Sequence, residues 1–299
     1  MDSRIVDRTS GDSVRRSIVL GGGGAIGGAW MLGLAAELQR GGIDLGAADS
    51  VVGTSAGAVV GAALVTGQDP NSVAEGPFPA GSPIPPAPVL NFPLLGLAFS
   101  ALFDRTPDRE EVGRRVGRAA MAEPAALPAH IAPMQWSLGG RDWPDDRLRI
   151  AVVDTATGQR QVLDSGSGVP LAVAATASRA FPGSFPPVVV GDRRYIDGGF
   201  FSPTNADLAA DSDVLLVLEP LAHRYPPEQV RAELANTATG AVVRFGPDAE
   251  TIAIFDAFTA KPDLITAWPV AFRSGVRQAD ELAKQLIDAG WAAPGSPAS

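Results

Sequence analysis

Residues 17–67 read SIVLGGGGAIGGAWMLGLAAELQRGGIDLGAADSVVGTSAGAVVGAALVTG. Two short apolar runs, SIVLG at 17–21 and SVVG at 50–53, each enter a glycine-bearing turn followed by small and apolar residues. A short apolar run bounded by turn residues reads as a buried strand. IGGAWMLGLAAELQR at 26–40 reads as a helix, apolar on nearly every side as a helix inside a layered domain is. It stops at Gly41-Gly42, and a second helix at 55–67 closes on Gly67. Strand, helix, strand and helix in this span predict a βαβ unit, with two parallel strands joined by a right-handed crossover.

Outward from this unit, the Pro-, Gly- and Ser-rich run from Gly67 to Pro88 reads as an exposed loop. VLNFPLLGLAFSALF at 89–103 is apolar, with Pro93 and Gly96 expected to break it; it reads either as a lid or lipid-facing wall, or as a core helix. TPDREEVGRRVGRAA at 106–120 reads as a helix with Thr106 as N-cap. Its Glu110–Arg114 and Glu111–Arg115 pairs sit at the favourable spacing. LRIAVVDTATGQRQVLD at 148–164 reads as two strands around a Thr-Gly turn, 170–178 as a short helix, and 188–197 as a hairpin around Gly191-Asp192. VLLVL at 214–218 is another buried strand. Apolar residues at 272, 276, 279, 282, 283 and 286 fall at helical spacing and predict a final helix ending at Gly290. The pattern predicts one α/β domain over 17–292, with polar tails at 1–16 and 293–299.

Composition narrows the function. With no cysteine among 299 residues there is no disulfide or thiolate metal site, and His130 and His223 are too few for a histidine-rich one. We therefore expect no metal and no cofactor. A net charge of −9 argues against a nucleic-acid partner and against a polybasic membrane anchor. The polar first seventeen residues lack the apolar core of a signal peptide, and no apolar run is long enough for a membrane span. The expectation is a cytoplasmic protein, with peripheral membrane contact as its closest approach to lipid.

The second strand runs into GTSAG, Gly53 to Gly57. A serine between glycines on a strand-to-helix turn is a nucleophile elbow: Ser55 must stand clear of the sheet on a strained turn, so its neighbours must be small. A helix beginning there also favours negative charge at the reacting centre. Acyl transfer passes through an oxyanion, which preorganised backbone N–H groups stabilise. The glycine run supplies such groups without side chains in the way, and parallel topology places it beside the elbow. Gly22, Gly23, Gly24 and Ala25 are the candidate oxyanion hole, with Gly27 supporting the turn.

Gly22, Gly24 and Gly27 also fit the dinucleotide fingerprint, which needs an acid at the end of the second strand. The serine elbow stands there instead, and Asp44 and Asp49 precede the strand. For the base, Asp197 in YIDGGFFSPT ends a strand and is followed by Gly198 and Gly199, which allow close approach. His223 with Ser55 and an Asp would give a hydrolase triad, but the elbow comes too early in the chain for that fold; His223 reads as a surface residue and His130 as structural. Asp154 is a second-choice base that reads better as a turn former. Asp207, Asp211 and Asp213 read as solvated loop acids rather than a cation site.

Four stretches in order carry a family resemblance: GGGGAIG at 21–27, GTSAG at 53–57, ASRAFPGSFPPV at 177–188 and DGG at 197–199. The chain resembles the patatin-like phospholipases, and VVRFGPD at 242–248 with the final helix is similar to them as well. The resemblance implies a three-layer α/β/α fold with a central, mainly parallel sheet, Ser55 as nucleophile, Asp197 as base without a histidine, and the glycine loop as oxyanion hole. It implies a lipid or other acyl-ester substrate. Many members carry Arg or Lys where this chain has Ile26. The other readings are a general carboxylesterase or thioesterase on the same dyad, and a non-catalytic nucleotide-binding protein using the glycine loop.

Overall fold

The computed structural model describes residues 14–78, 81, 90–235 and 237–291. Most of the expected N-terminal tail, the C-terminal tail, and 79–80 and 82–89 of the Pro-rich loop lie outside the described residues. Strand β1 (Arg16–Leu20) leads through the glycine run into helix α1 (Gly24–Arg40), and β2 (Ser50–Thr54) into α2 (Ala56–Val65). β1 and β2 pair in parallel, Ser17 opposite Ser50 and Leu20 opposite Gly53, so both strands deliver their C-terminal turns to one edge. This is the βαβ unit expected from the sequence.

Three helices follow: α3 (Phe92–Leu102), α4 (Arg109–Ala120) and α5 (Pro128–Ser137). Then come β3 (Leu148–Asp154), β4 (Arg160–Leu163), α6 (Leu171–Ser178) and the hairpin of β5 (Val188–Val190) and β6 (Arg193–Asp197). The chain closes with β7 (Ser212–Leu218), α7 (Pro227–Leu234), β8 (Thr239–Phe245), α8 (Ala249–Ala260) and α9 (Leu264–Asp288). The sheet is mixed and mostly parallel: β8, β7, β1, β2 and β3 run the same way, and β4, β5 and β6 pair antiparallel.

Helices cover both faces. Ile18, Leu20, Val51, Ile150, Val152 and Leu216 face a core shared with α1, α2, α6 and α9. The alternate residues Val19, Val52, Leu215 and Val217 face Ala206, Ala209 and Val230 of α7. Val153 and Ile196 pack beneath α3 and α4. Fully buried Trp30 joins α1 to α9, its Nε1–H donating to Gln278 Oε1 at 2.8 Å. No helix among the described residues is long and apolar enough to cross a membrane.

The structure departs from the sequence reading at several elements. Pro93 and Gly96 do not interrupt α3: Pro93 lies in the first turn, where its missing N–H has no helical partner to lose, and the Asn91 side chain accepts the Leu94 N–H at 3.2 Å. The helix after it starts at Arg109, capped by Asp108 rather than Thr106, whose hydroxyl donates to Asp104 at 2.6 Å. The expected Glu110–Arg114 pair forms at 3.5 Å, but Glu111 also pairs with Arg114, at 2.9 Å, and Arg115 turns to Asp104 at 2.8 Å. The final helix begins at Leu264 with Asp263 as N-cap, and α5, α7 and α8 are additional. α3 is no core helix: Leu94, Ala98 and Ala101 are buried, but Phe92 is 71% and Phe99 47% exposed.

Candidate active site

The meeting of the elbow and the Asp-Gly-Gly turn is a matter of register on β3. Ala151 pairs with Thr54 of β2 and Val162 of β4; the next residue, Val152, pairs with Asp197 of β6 and Gln161 of β4. β4 therefore takes one edge of β3, while β2 and β6 share the other and approach it from opposite directions. Their C-terminal residues, Thr54 and Asp197, face consecutive positions of one strand. Ser55 follows Thr54, and its Oγ–H donates to Asp197 Oδ2 at 2.7 Å.

Ser55 has φ 55 and ψ −116, a strained conformation for a residue with a Cβ. Its N–H donates to Ser178 Oγ at 2.9 Å, and the Ser178 hydroxyl donates to the Ala151 carbonyl at 2.7 Å. Ser178 thus ties the strained turn to β3. Asp197 is 3% exposed, and its second oxygen accepts the Gly199 N–H at 2.8 Å. Burial pushes its carboxyl up to about 6, against the pull of the Ser55 hydroxyl, the Gly199 N–H and the Arg179 guanidinium.

The glycine run lies beside this pair. A Cβ placed on Gly22 would be 3.5 Å from Ser55 Cβ. The Gly22 N–H, however, donates to the Pro203 carbonyl at 2.8 Å, so Gly22 is removed from the candidate donors. Gly23, Gly24 and Ala25 begin α1, where N–H groups have no intrahelical acceptor. Gly24 adopts φ +60 and, with Ala25, is exposed; among the described residues no acceptor takes the N–H of Gly23, Gly24 or Ala25. Gly27 packs on Pro220, whereas Gly53 and Gly198 sit where a Cβ would lie 2.6 Å from Ala58 Cα and 2.3 Å from the Ala151 carbonyl oxygen.

A buried loop that the sequence does not single out braces the elbow. Asn205, the other non-glycine residue with positive φ among the described residues, donates through Nδ2 to Thr54 Oγ1 at 3.0 Å. The Thr54 hydroxyl donates to the Thr204 carbonyl at 3.2 Å. Glu233 of α7 accepts from the Ser202 and Thr204 hydroxyls and the Ala206 N–H at 2.5, 2.7 and 2.8 Å. No residue spacing announces these partners; the SPTN run after Asp197 was the available signal.

The remaining candidates lie elsewhere. Asp154 accepts the N–H groups of Ala156 and Thr157 at 2.8 and 3.0 Å and pairs with Arg193 at 2.9 Å, which marks it as the turn former. Burial pushes its carboxyl up, but the two N–H groups and Arg193 prevail and hold it below the usual range. His130 Nδ1 accepts the Leu127 N–H at 2.9 Å and caps α5. His223 is half-buried rather than on the open surface: its ring packs on Phe255, and both ring nitrogens are buried without a hydrogen-bond partner among the described residues. Asp207 is held by Arg160 at 2.6 Å, and Asp211 accepts the Ala238 N–H at 3.1 Å. A cavity of about 670 Å³ adjoins Phe103, Arg109, Phe201 and Tyr225, but neither Ser55 nor Asp197 lines it.

Comparison with protein families matches residues 18–210 to patatin-like phospholipase. The chain belongs to the patatin-like phospholipase family. The match takes in the glycine run, the GTSAG elbow, residues 177–188 and the Asp-Gly-Gly turn of this patatin-like chain. No curated protein matches it in sequence. Among solved structures it is similar to VipD from Legionella pneumophila at 13% identity and a TM-score of 0.41, covering 92% of this chain and 67% of VipD. It is also similar to ExoU, in complex with SpcU from the type III secretion system of Pseudomonas aeruginosa, at 18% identity and a TM-score of 0.39. That match covers 93% of this chain and 52% of ExoU, so the chain spans about half of ExoU's length.

Proposed function

We propose that this chain is a lipid acyl hydrolase that cleaves carboxylic esters through an acyl-enzyme on Ser55, with Asp197 as base. The observation that carries the reading is the 2.7 Å hydrogen bond from the Ser55 hydroxyl to the buried Asp197 carboxylate. Asp197 takes the hydroxyl proton as Ser55 Oγ attacks the ester carbonyl. The N–H groups of Gly23, Gly24 and Ala25 receive the oxyanion, helped by the α1 dipole. Collapse breaks the ester bond, and Asp197 returns the proton to the departing alcohol. Water, deprotonated by Asp197, then attacks the acyl-enzyme; the acid leaves, and Ser55 recovers its proton. A pKa of about 6 suits this duty, since the carboxyl is ionised at neutral pH yet basic enough to accept a proton.

The test is fatty-acid release from a panel of phospholipids, lysophospholipids and short p-nitrophenyl esters. Wild type hydrolyses ester substrates and Ser55→Ala does not. Activity confined to the short esters would favour the general carboxylesterase reading. Tight nucleotide binding by a folded protein without esterase activity would favour the binding-module reading.

The exposed face of α3 supports a lipid substrate. The helix carries no charge, and its Leu102 lies against Gly199, 3.5 Å from where a Cβ would be. Phe99 and Phe200 each pack on Phe181, with centroids 5.0 and 5.3 Å apart, which links the outer surface to the Asp197 turn. In this proposal Phe92 and Phe99 rest in the lipid interface and bring the site to the bilayer. Phe92→Asp places an acid in the first turn, where a helix tolerates it. We expect hydrolysis of phospholipid vesicles to fall about tenfold more than hydrolysis of a water-soluble ester, because a phenyl group leaves the interface. Equal losses on both substrates would remove α3 from lipid contact.

A further inference from the structure

Residues 177–188 carry a cation that the ester chemistry leaves unused. Arg179 follows Ser178, which holds the Ser55 N–H, and precedes Ala180, whose carbonyl accepts the Asp197 N–H at 3.1 Å. Its backbone is fixed between the supports of the two members of the pair. The guanidinium carbon lies over the Phe185 ring at 4.4 Å from its centroid, a cation–π contact that uses none of the N–H donors. Among the described residues this side chain makes no hydrogen bond and no ion pair. The carboxylate whose field reaches it is Asp197, and both oxygens of Asp197 are already engaged by Ser55 and Gly199.

Arg179 is half-buried, yet none of its guanidinium nitrogens is among the buried unpartnered atoms of the described residues, so its donors stay open to water and to a ligand. Arg109, another partly buried cation near this turn, shows the ordinary solution: it donates to the carbonyls of Asp104, Phe200 and Phe201 at 2.6, 2.8 and 3.1 Å. Arg179 has no such set. We propose that Arg179 binds an anionic group carried by the substrate, a phosphate or a carboxylate, while the ester lies against Ser55. A guanidinium edge accepts two oxygens of such a group side by side. The assignment rests on the hydrolase reading and names its substrate class: acyl esters that carry an anion close to the scissile bond.

The test compares an anionic lysophospholipid with a neutral monoacylglycerol of the same acyl chain. In Arg179→Gln we expect the ratio of kcat/KM, anionic over neutral, to fall about tenfold or more, mostly through KM. Arg179→Lys, which keeps the charge but loses the fork, recovers part of it. An unchanged ratio overturns the proposal, and so does an equal loss on both substrates with a shifted acid limb, which marks Arg179 as acting only through Asp197. Wild type alone gives an independent reading should the variants not fold. Dodecyl phosphate protects Ser55 from a fluorophosphonate more strongly than dodecyl glucoside does, and equal protection overturns the proposal. Calorimetry separates the sources of the anion: dodecyl phosphate binding more tightly than inorganic phosphate supports a substrate-borne group, and equal binding overturns it. If wild type hydrolyses no ester, the hydrolase reading fails by itself. Dodecyl phosphate binding that is lost in Arg179→Gln would then still establish the anion site, and its absence in wild type would remove it.

Discussion

Asp197→Asn lowers ester turnover roughly a thousandfold, the scale at which general bases contribute, and leaves a folded protein. The amide is isosteric with the carboxylate. Its oxygen can keep the Gly199 N–H while its NH₂ donates to Ser55 Oγ, so the serine changes from donor to acceptor and has nowhere to send its proton. The wild-type rate rises with pH through about 6, as Asp197 ionises, and levels above it; in the variant this inflection is absent. Stability moves the other way. The folded-state pKa of about 6 lies above the ordinary 3.8, so the folded chain binds the proton more tightly than the unfolded one. The resulting stability is present below about pH 4 and is lost as pH rises through about 6, at a cost of about 3 kcal/mol. Asp197→Asn removes that cost. Its urea midpoint should exceed that of wild type at pH 8 and converge with it near pH 4. A variant that is less stable at pH 8 would show that Asp197 is not held against its own ionisation.

Gly57→Ala is the second large effect, and it acts on the scaffold. A Cβ on Gly57 would lie 1.9 Å from the Leu20 carbonyl oxygen and 2.4 Å from its carbon, both backbone atoms. Leu20 ends β1 just before the glycine run, so relief of the clash must move α2 away from β1 or shift the candidate oxyanion donors. We expect a loss of about 3 kcal/mol, at the upper end for overpacking because no flexible side chain can yield. Gly96→Ala is the matched control: Gly96 lies inside α3 with nothing within 4 Å of a new Cβ. It should be neutral or stabilising by about 0.5–1 kcal/mol, as expected where helix propensity alone is at stake. Denaturation midpoints of the two variants decide the matter, and equal midpoints would refute the close approach at Gly57.

The parts of this protein that were legible in the sequence are those in which local chemistry is unusual. A strand that ends in GTSAG and a strand that ends in Asp-Gly-Gly both show on the page, because backbone packing there excludes a side chain. The parallel unit over 17–67 was legible because its connection is short and regular. That Ser55 and Asp197 touch depends on β2 and β6 ending at adjacent positions along one edge of β3, and no residue spacing encodes that register. Gly22 reads as a donor in the sequence, which does not reveal that Pro203 takes its N–H. Ser178, Asn205 and Glu233 are common polar residues whose importance comes only from what they face. Apolar composition leaves lid and core both open for α3, since both are apolar; the exposure of Phe92 and Phe99 excludes the core helix.

In the proposed mechanism a buried carboxylate activates Ser55 directly. Intact-protein and peptide mass spectrometry after fluorophosphonate treatment, repeated from pH 4 to pH 9, tests it at the reacting atoms. We expect a single adduct on Ser55, formed about tenfold faster per pH unit below about 6 and at a steady rate above it, with that dependence lost in Asp197→Asn. An adduct on another residue, or an unchanged pH profile in Asp197→Asn, would contradict the account.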